Sequence, residues 1–375
     1  MIHAAAGKER VPDRATMDHS QAPAIVTRGL TKSFAGNVVL RDVGFEARPG
    51  EIHALVGENG AGKSTFINLL TGVHAPDAGE LAIAGQAFRR LTPHHADALG
   101  IATVHQELSL CPHLTVAENV HLGAPPTRRG MLDRQSMDAS VRAELHEIGV
   151  SIDPTLLVNE LSLAEQQLVE FAKATIRRPR ILILDEATSA LDSAQTKVLF
   201  DYLRRLRAAG TCIIFVSHRM EEIFGLCDRI TVFRNGEYVA TVATAETSTS
   251  DLVQMMIGRR VEEAYPPKPP LDAVLGEPVV LSARGLAADR RFRNVSFDLH
   301  RGEILGIGGL QGQGQHDLLE ALFGQHSPTG EIELGGRPVS IASERDAISR
   351  GIAYVPEDRK TEGLIVQLSV GENLV

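Results

Sequence analysis

The chain has 375 residues, 43% apolar and 23% charged, which is a globular composition and enough length for two domains with separate cores. Its 38 basic and 47 acidic side chains leave a net charge of −9, which speaks against a nucleic-acid binder, because a basic face would have to be built against that total. No stretch reaches the roughly 18 uninterrupted apolar residues that span a bilayer, so any service to a membrane is expected to run through a partner.

Residues 1–23 lack the apolar core of a secretory signal and read as a flexible extension. Three cysteines (Cys111, Cys212, Cys227) without a CxxC pair read as reduced thiols of a cytosolic protein. No HExxH or Cys/His cluster has metal-ligand spacing, so zinc is not indicated.

In chain order, EIHALV (51–56) predicts a strand, and KSTFINLLT (63–71) a helix with Phe66, Ile67 and Leu70 on one face. Between them, Gly57-Glu58-Asn59-Gly60-Ala61-Gly62-Lys63-Ser64, followed by Thr65, matches GxxxxGK[ST] without deviation. Strand to helix is the context that such a match requires. The glycines let backbone N–H groups close around a phosphate, and the helix adds its positive N-terminal end. Lys63 would bridge β- and γ-phosphates, and the Ser64 hydroxyl would ligate Mg²⁺. The bland alternative is a glycine-rich turn that happens to carry Lys-Ser.

EQQLVEFAKATI (165–176) reads as a helix with Leu168, Phe171, Ala172 and Thr175 on one face. Ser162 just ahead of it is, from propensity alone, an ordinary N-cap. ILILDE (181–186) and TCIIFVSH (211–218) are continuous apolar runs that suit strands buried on both faces of a parallel sheet. Asp185 at such a strand end would hold Mg²⁺, and Glu186 would be the general base that polarises water. Two solvated acids after a strand are the plain alternative. His218 would reach the γ-phosphate from the next strand end, if it is not simply a satisfied structural histidine.

The chain also repeats itself. Residues 41–72 answer 293–324 at a constant offset of 252, with Arg41, Val43, Phe45, Gly50, Gly60, Gly62 and Gly72 recurring. Further on, 98–108 answer 348–358 and LTVAENV (114–120) answers LSVGENL (368–374), so that Asn373 corresponds to Asn119. The expected organisation is a first copy over 24–260, a Pro-rich linker over 261–277 around AYPPKPP, and a second copy over 278–375. About 140 residues of the first copy, from Asn119 to Arg260, have no counterpart, and the second copy is read as truncated.

Together, GENGAGKST, VHQEL, LSLAEQQ, ILILDEATSALD and VSH resemble the ATP-binding subunit of an ABC transporter. The resemblance implies a duplicated α/β P-loop NTPase fold with a helical subdomain. It implies that Phe34 stacks on adenine, that Gln106 contacts Mg²⁺ and the lytic water, and that Ser162, Ala164 and Glu165 form a signature segment for the opposing ATP. Ser189-Ala190-Leu191-Asp192 would couple the two sites. HQELSLCPHLTVAENVHLG and VPEDRKTEGL narrow the likeness to tandem importers of monosaccharides such as ribose, galactose and xylose. That implies permease subunits as partners, a periplasmic sugar-binding protein further out, and a peripheral place on the cytoplasmic face of the membrane. A soluble tandem ATPase or a non-catalytic ATP-binding regulator is the alternative.

Two departures carry expectations. Leu163-Ala164 replaces the family's Gly-Gly, and Glu165 stands where Gln is usual. Glycine lets backbone approach a phosphate most easily, so this bears on the grip on the opposing nucleotide, although sugar-importer relatives tolerate such variation. In copy two, Gln315 replaces the loop lysine and His316 the serine, so that copy is expected to bind ATP weakly. With the second signature beyond Val375, the chain is expected to show little ATPase alone unless two chains pair.

Overall fold

The computed structural model describes residues 22–106, 108–259, 268–288, 291–309, 312–356 and 362–374. The chain forms two compact units, Met1–Tyr265 and Pro266–Val375. Residues 1–21 of the expected extension and 261–267 of the expected linker lie outside the described residues. Within the rest of that linker the chain is not simply extended: Leu271–Leu275 is a short helix with Pro270 at its cap. A proline stops a helix that precedes it, yet it costs nothing just ahead of one, where its missing N–H has no partner to lose.

The strands of the first unit are β1 (Ile25–Phe34), β2 (Asn37–Ala47), β3 (Ile52–Val56), β4 (Ala78–Ile83), β5 (Gln86–Phe88) and β6 (Ile101–Val104). A small hairpin of β7 (Thr127–Arg128) and β8 (Met131–Leu132) follows, then β9 (Ile181–Asp185), β10 (Cys212–Val216), β11 (Arg229–Arg234) and β12 (Glu237–Ala243). One sheet has the antiparallel order β2-β1-β4-β5, the other the order β12-β11-β3-β10-β9-β6. In the second, β11, β3, β10, β9 and β6 run parallel and β12 is an antiparallel edge.

Both runs expected to be buried strands are buried on two faces, and strand alternation divides them. Leu182 and Leu184 of β9, with Ile213 and Phe215 of β10, join one apolar cluster. Ile181, Ile183, Cys212 and Ile214 join the other. Such strands need apolar cover on each side.

The helices are α1 (Lys63–Leu70), α2 (Pro93–Ala98), α3 (Val116–Val120), α4 (Arg134–Ile148), α5 (Leu163–Thr175), α6 (Ser193–Ala208), α7 (Met220–Leu226) and α8 (Thr249–Ile257). Phe66 of α1 meets Phe45 and Phe233 edge-on at 5.1 and 5.3 Å, joining the two sheets. On the other side, Val116, Val120, Met137, Val141, Leu145 and Leu168 of α3, α4 and α5 share one core with β9 and β10. The helical part is therefore rooted in the sheet. A buried carboxylate helps: Glu144 accepts from the Tyr202 hydroxyl (2.5 Å) and the Thr175 hydroxyl (2.6 Å), with Arg178 at 3.4 Å.

The second unit repeats the first in backbone detail. β13 (Val279–Ala288), β14 (Phe292–His300), β15 (Thr329–Leu334) and β16 (Arg337–Val339) pair in the order β14-β13-β15-β16, the arrangement of β2-β1-β4-β5. Asp42 and Asn294 share an uncommon left-handed φ (51° and 52°), as do Gly62 and Gly314 (94° and 92°). Each of these pairs is separated by the 252-residue offset. The helix Gln315–Phe323 stands where α1 stands.

The parallel sheet is not repeated among the described residues of unit two. Segments 303–308 and 352–356, counterparts of β3 and β6, form no strands. In unit one, β10 and β9 lie between β3 and β6, and among the described residues of unit two nothing takes their place. Ile304 and Val355 of these segments are 99% and 90% exposed.

Candidate active site

Parallel strands deliver their following residues to one edge of the sheet. Residue 57 follows β3, 105–106 follow β6, Glu186 follows β9 and 217–218 follow β10. The glycine loop, the two acids and His218 therefore meet along one edge, as their strand-end positions led us to expect, and Gln106, expected only from the family resemblance, joins them from the end of β6.

The loop from Gly57 opens onto α1, capped by Gly62 in the left-handed region. A side chain there would be strained, and its Cβ would meet Leu40 Cδ2 at 2.5 Å. Glu58, Asn59 and Gly60 are exposed at the mouth, Ala61 is buried beneath, and Ser64 is exposed with Thr65 half-buried beside it. Lys63 curls back and donates to the carbonyl oxygens of Gly57 (2.7 Å) and Glu58 (3.0 Å). Burial pushes its ammonium below the ordinary lysine range, against the pull of Glu186 and Asp185.

The two acids do not sit alike. Burial first, then the charge of Glu186, pushes Asp185 above the usual carboxylate range, while His105 and Lys63 oppose this. Glu186 has a left-handed φ of 50°, and its N–H donates to Val216 O at 3.0 Å. Its Oε2 accepts from Gln106 Nε2 at 3.0 Å, and its Oε1 lies 3.6 Å from His218 Nδ1. Neither acid is simply solvated. His218 is 66% exposed on its side chain, so it is no core histidine either.

One residue here escaped the sequence reading. Glu222 is buried and accepts from Thr188 (2.8 Å), Ser217 (2.7 Å) and Arg219 (3.2 Å). It thereby ties the loop after Glu186 to the turn bearing His218. The sequence offers only Glu221-Glu222 on a short helix, with nothing to mark which of the two turns inward.

Phe34 ends β1, 39% exposed, with His74 edge-on at 5.0 Å and the Lys32 ammonium 5.3 Å from its ring centre. Asp77 fixes this end by accepting from Lys32 (2.8 Å) and the Ser33 N–H (2.6 Å).

Ser162 is indeed the N-cap of α5, in a capping box with Glu165. Its N–H and hydroxyl both donate to Glu165 Oε2, at 2.9 and 2.7 Å, and these bonds hold that carboxyl below its usual range. The charge where Gln is usual is thus turned onto the cap, with Leu163 exposed and Ala164 half-buried. Asp192 likewise caps α6. Its loop reaches the site through Ser189, whose N–H donates to Glu186 O at 3.3 Å.

In unit two Gly312 and Gly314 keep the left-handed φ of Gly60 and Gly62 (80° and 92° against 82° and 94°), but the lysine is gone. Where α1 begins with Lys63 and Ser64, the second helix begins with Gln315 and His316, and Glu320 pairs with His316 (2.9 Å) and His326 (2.9 Å). Arg291 sits against Asp317 at 2.6 Å and His326 at 2.9 Å, so a cation already occupies this cluster of acids.

The family model for the ABC transporter matches residues 40–189 and 292–373, both copies of the unit. The chain belongs to the ABC transporter family. Among relatives, the ABC transporter chain is 46% identical to ribose import ATP-binding protein RbsA 1 of Rhizobium johnstonii, over 94% of this chain and 69% of that one. It is 42% identical to putative ribose/galactose/methyl galactoside import ATP-binding protein 3 of Agrobacterium fabrum, over 94% and 70%. Among solved structures, it resembles an ATP-binding cassette of an ABC transporter in its ADP conformation (TM-score 0.56, 22% identity, 64% of this chain and all of that one). A dimeric cassette bound to ADP and Pi follows at TM-score 0.53 and 25% identity, over 59% and 98%. The cassette fold of the ABC transporter is therefore present.

Proposed function

We propose that this chain binds and hydrolyses ATP to energise the import of a monosaccharide through a membrane permease. One observation carries the hydrolytic part: Gln106 donates to Glu186 on the sheet edge that also presents the lysine-bearing glycine loop. The sugar cargo is supported by the ribose and galactose importers at 42–46% identity. Nothing favours a ribosome- or DNA-directed ATPase or a non-catalytic regulator.

In this reading Phe34 stacks on the base. Lys63 leaves the carbonyl oxygens of Gly57 and Glu58 to neutralise the phosphate tail, and loop N–H groups from Gly57 to Thr65 close around it. Glu186 orients the attacking water, with Gln106 and His218 holding the carboxylate from its two sides. Ser64, Asp185 and Gln106 offer hydroxyl, carboxylate and amide oxygens, the hard donor set that Mg²⁺ takes. The amide nitrogen of Gln106 donates to Glu186, so its carbonyl oxygen would be the atom available to the ion. A Mg²⁺ ion held there would supply charge neutralisation on the phosphates.

Ser162 and the α5 N-terminus would meet the nucleotide of an opposing cassette, which makes self-association or a second cassette part of the cycle. Such a subunit works on the cytoplasmic face beneath its permease, with a periplasmic sugar-binding protein beyond, and no described helix is long and apolar enough to cross the membrane itself.

Equilibrium binding of a fluorescent ATP analogue and phosphate release check the reading. Lys63→Ala is expected to lose nucleotide affinity. Glu186→Gln is expected to bind as the parent does and to hydrolyse at least about 100-fold more slowly. Normal turnover by Glu186→Gln removes it as the base.

A further inference from the structure

Beyond Gln106, the site is joined to α5 by a clamp. Ser109 lies three residues after Gln106. Its hydroxyl donates to Glu170 Oε1 at 2.5 Å, and Lys173 Nζ donates to both the carbonyl and the hydroxyl oxygen of Ser109 at 2.9 Å. Lys173 also lies 4.0 Å from Glu170. Glu170 and Lys173 stand one turn apart on the helix that Ser162 caps.

Packing alone gives no reason for a carboxylate at position 170. Its helix neighbours Leu168, Val169, Phe171 and Ala172 are all buried and apolar, and burying a charge is costly unless it is paired. The other buried acid of this region, Glu144, spends its bonds on α5 and α6 and so braces the helices. Glu170 spends its hydrogen bond on the segment that carries Gln106, and its Oε2 has no hydrogen-bond partner among the described residues.

We propose that Glu170 is a positioning residue. With Ser109 and Lys173 it yokes the Gln106 segment to the signature helix, so that Gln106 engages or leaves Glu186 as α5 moves. One rigid helix then connects the water-orienting pair of one ATP site to the Ser162 cap that meets the other. This rests on the hydrolytic reading above.

The test uses the full chain, with ATP hydrolysis at fixed chain concentration and amide hydrogen exchange of α5 with and without MgATP. Ser109→Ala and Glu170→Gln are expected to bind the fluorescent ATP analogue unchanged and keep KM, while kcat falls about tenfold. Ser109→Thr, which retains a hydroxyl, restores kcat. In a Gln106→Ala background, Ser109→Ala is expected to cost nothing more, because its effect runs through Gln106. MgATP is expected to slow exchange in α5 of the parent but not of Ser109→Ala.

Parental kcat and parental α5 protection in Ser109→Ala overturn the proposal. So does a Ser109→Ala penalty that persists in full without Gln106, the mark of a packing residue. Exchange decides the matter even where turnover is slow. Normal hydrolysis by Glu186→Gln, by contrast, overturns the parent reading instead of the clamp.

Discussion

At the scale of the residue, the site is held against its own stability. Glu186 keeps a left-handed backbone that only surrounding structure sustains. Asp185 is buried beside it with its carboxyl raised. A group with a raised folded pKa favours the fold while protonated, and that contribution is lost as pH rises through the raised value. At neutral pH, Asp185 therefore works against the nucleotide-free fold. Asp185→Asn is expected to raise the melting temperature at pH 7 and to match the parent near pH 4, while abolishing hydrolysis. Thermal unfolding at the two pH values checks this, and a lower melting point at pH 7 refutes it. The loop, both acids and His218 were legible because each follows an apolar run. Glu222 and Asp77 were not, since each acts across 34 and 44 residues of chain, a separation no local pattern encodes.

At the scale of the element, the repeat conceals a tether. Asn119, wholly buried, accepts from the Cys111 N–H and donates to the carbonyl oxygens of Cys111, Leu114 and Thr115. Asn373 makes the same set to Ile365, Leu368 and Ser369. The capping boxes Thr115–Glu118 and Ser369–Glu372 recur with it. LTVAENV and LSVGENL announced the match, but not that one amide ties the preceding loop to a short helix. Asn119→Ala leaves the part-buried Cys111 N–H without its acceptor, takes a second donor from three carbonyl oxygens, and is expected to cost about 1–3 kcal/mol in urea denaturation. Asn373→Ala, whose bonds are solvent-exposed, is expected to cost well under half of that. Equal losses would show that burial is not what gives the tether its strength.

At the scale of the whole molecule, two units share a plan, and the described residues of each build apolar clusters of different size. In unit one, β9 and β10 separate two apolar clusters and fill both. Among its described residues, unit two has one smaller cluster around Leu286, Phe292 and Leu318.

By itself the sequence determined the duplication, the phosphate loop, and the strand ends that bring Asp185, Glu186 and His218 to one edge. Those depend on local pattern and on the geometry of a parallel sheet, which a run of residues specifies. Only the tertiary structure decided that Lys63 rests on its own loop, that Ser162 and Glu165 close upon each other, and that Ser109 is gripped by Glu170 and Lys173. Each of these is a choice among hydrogen-bond partners. Burial makes that choice, by bringing distant groups together and withdrawing the water that would otherwise satisfy them.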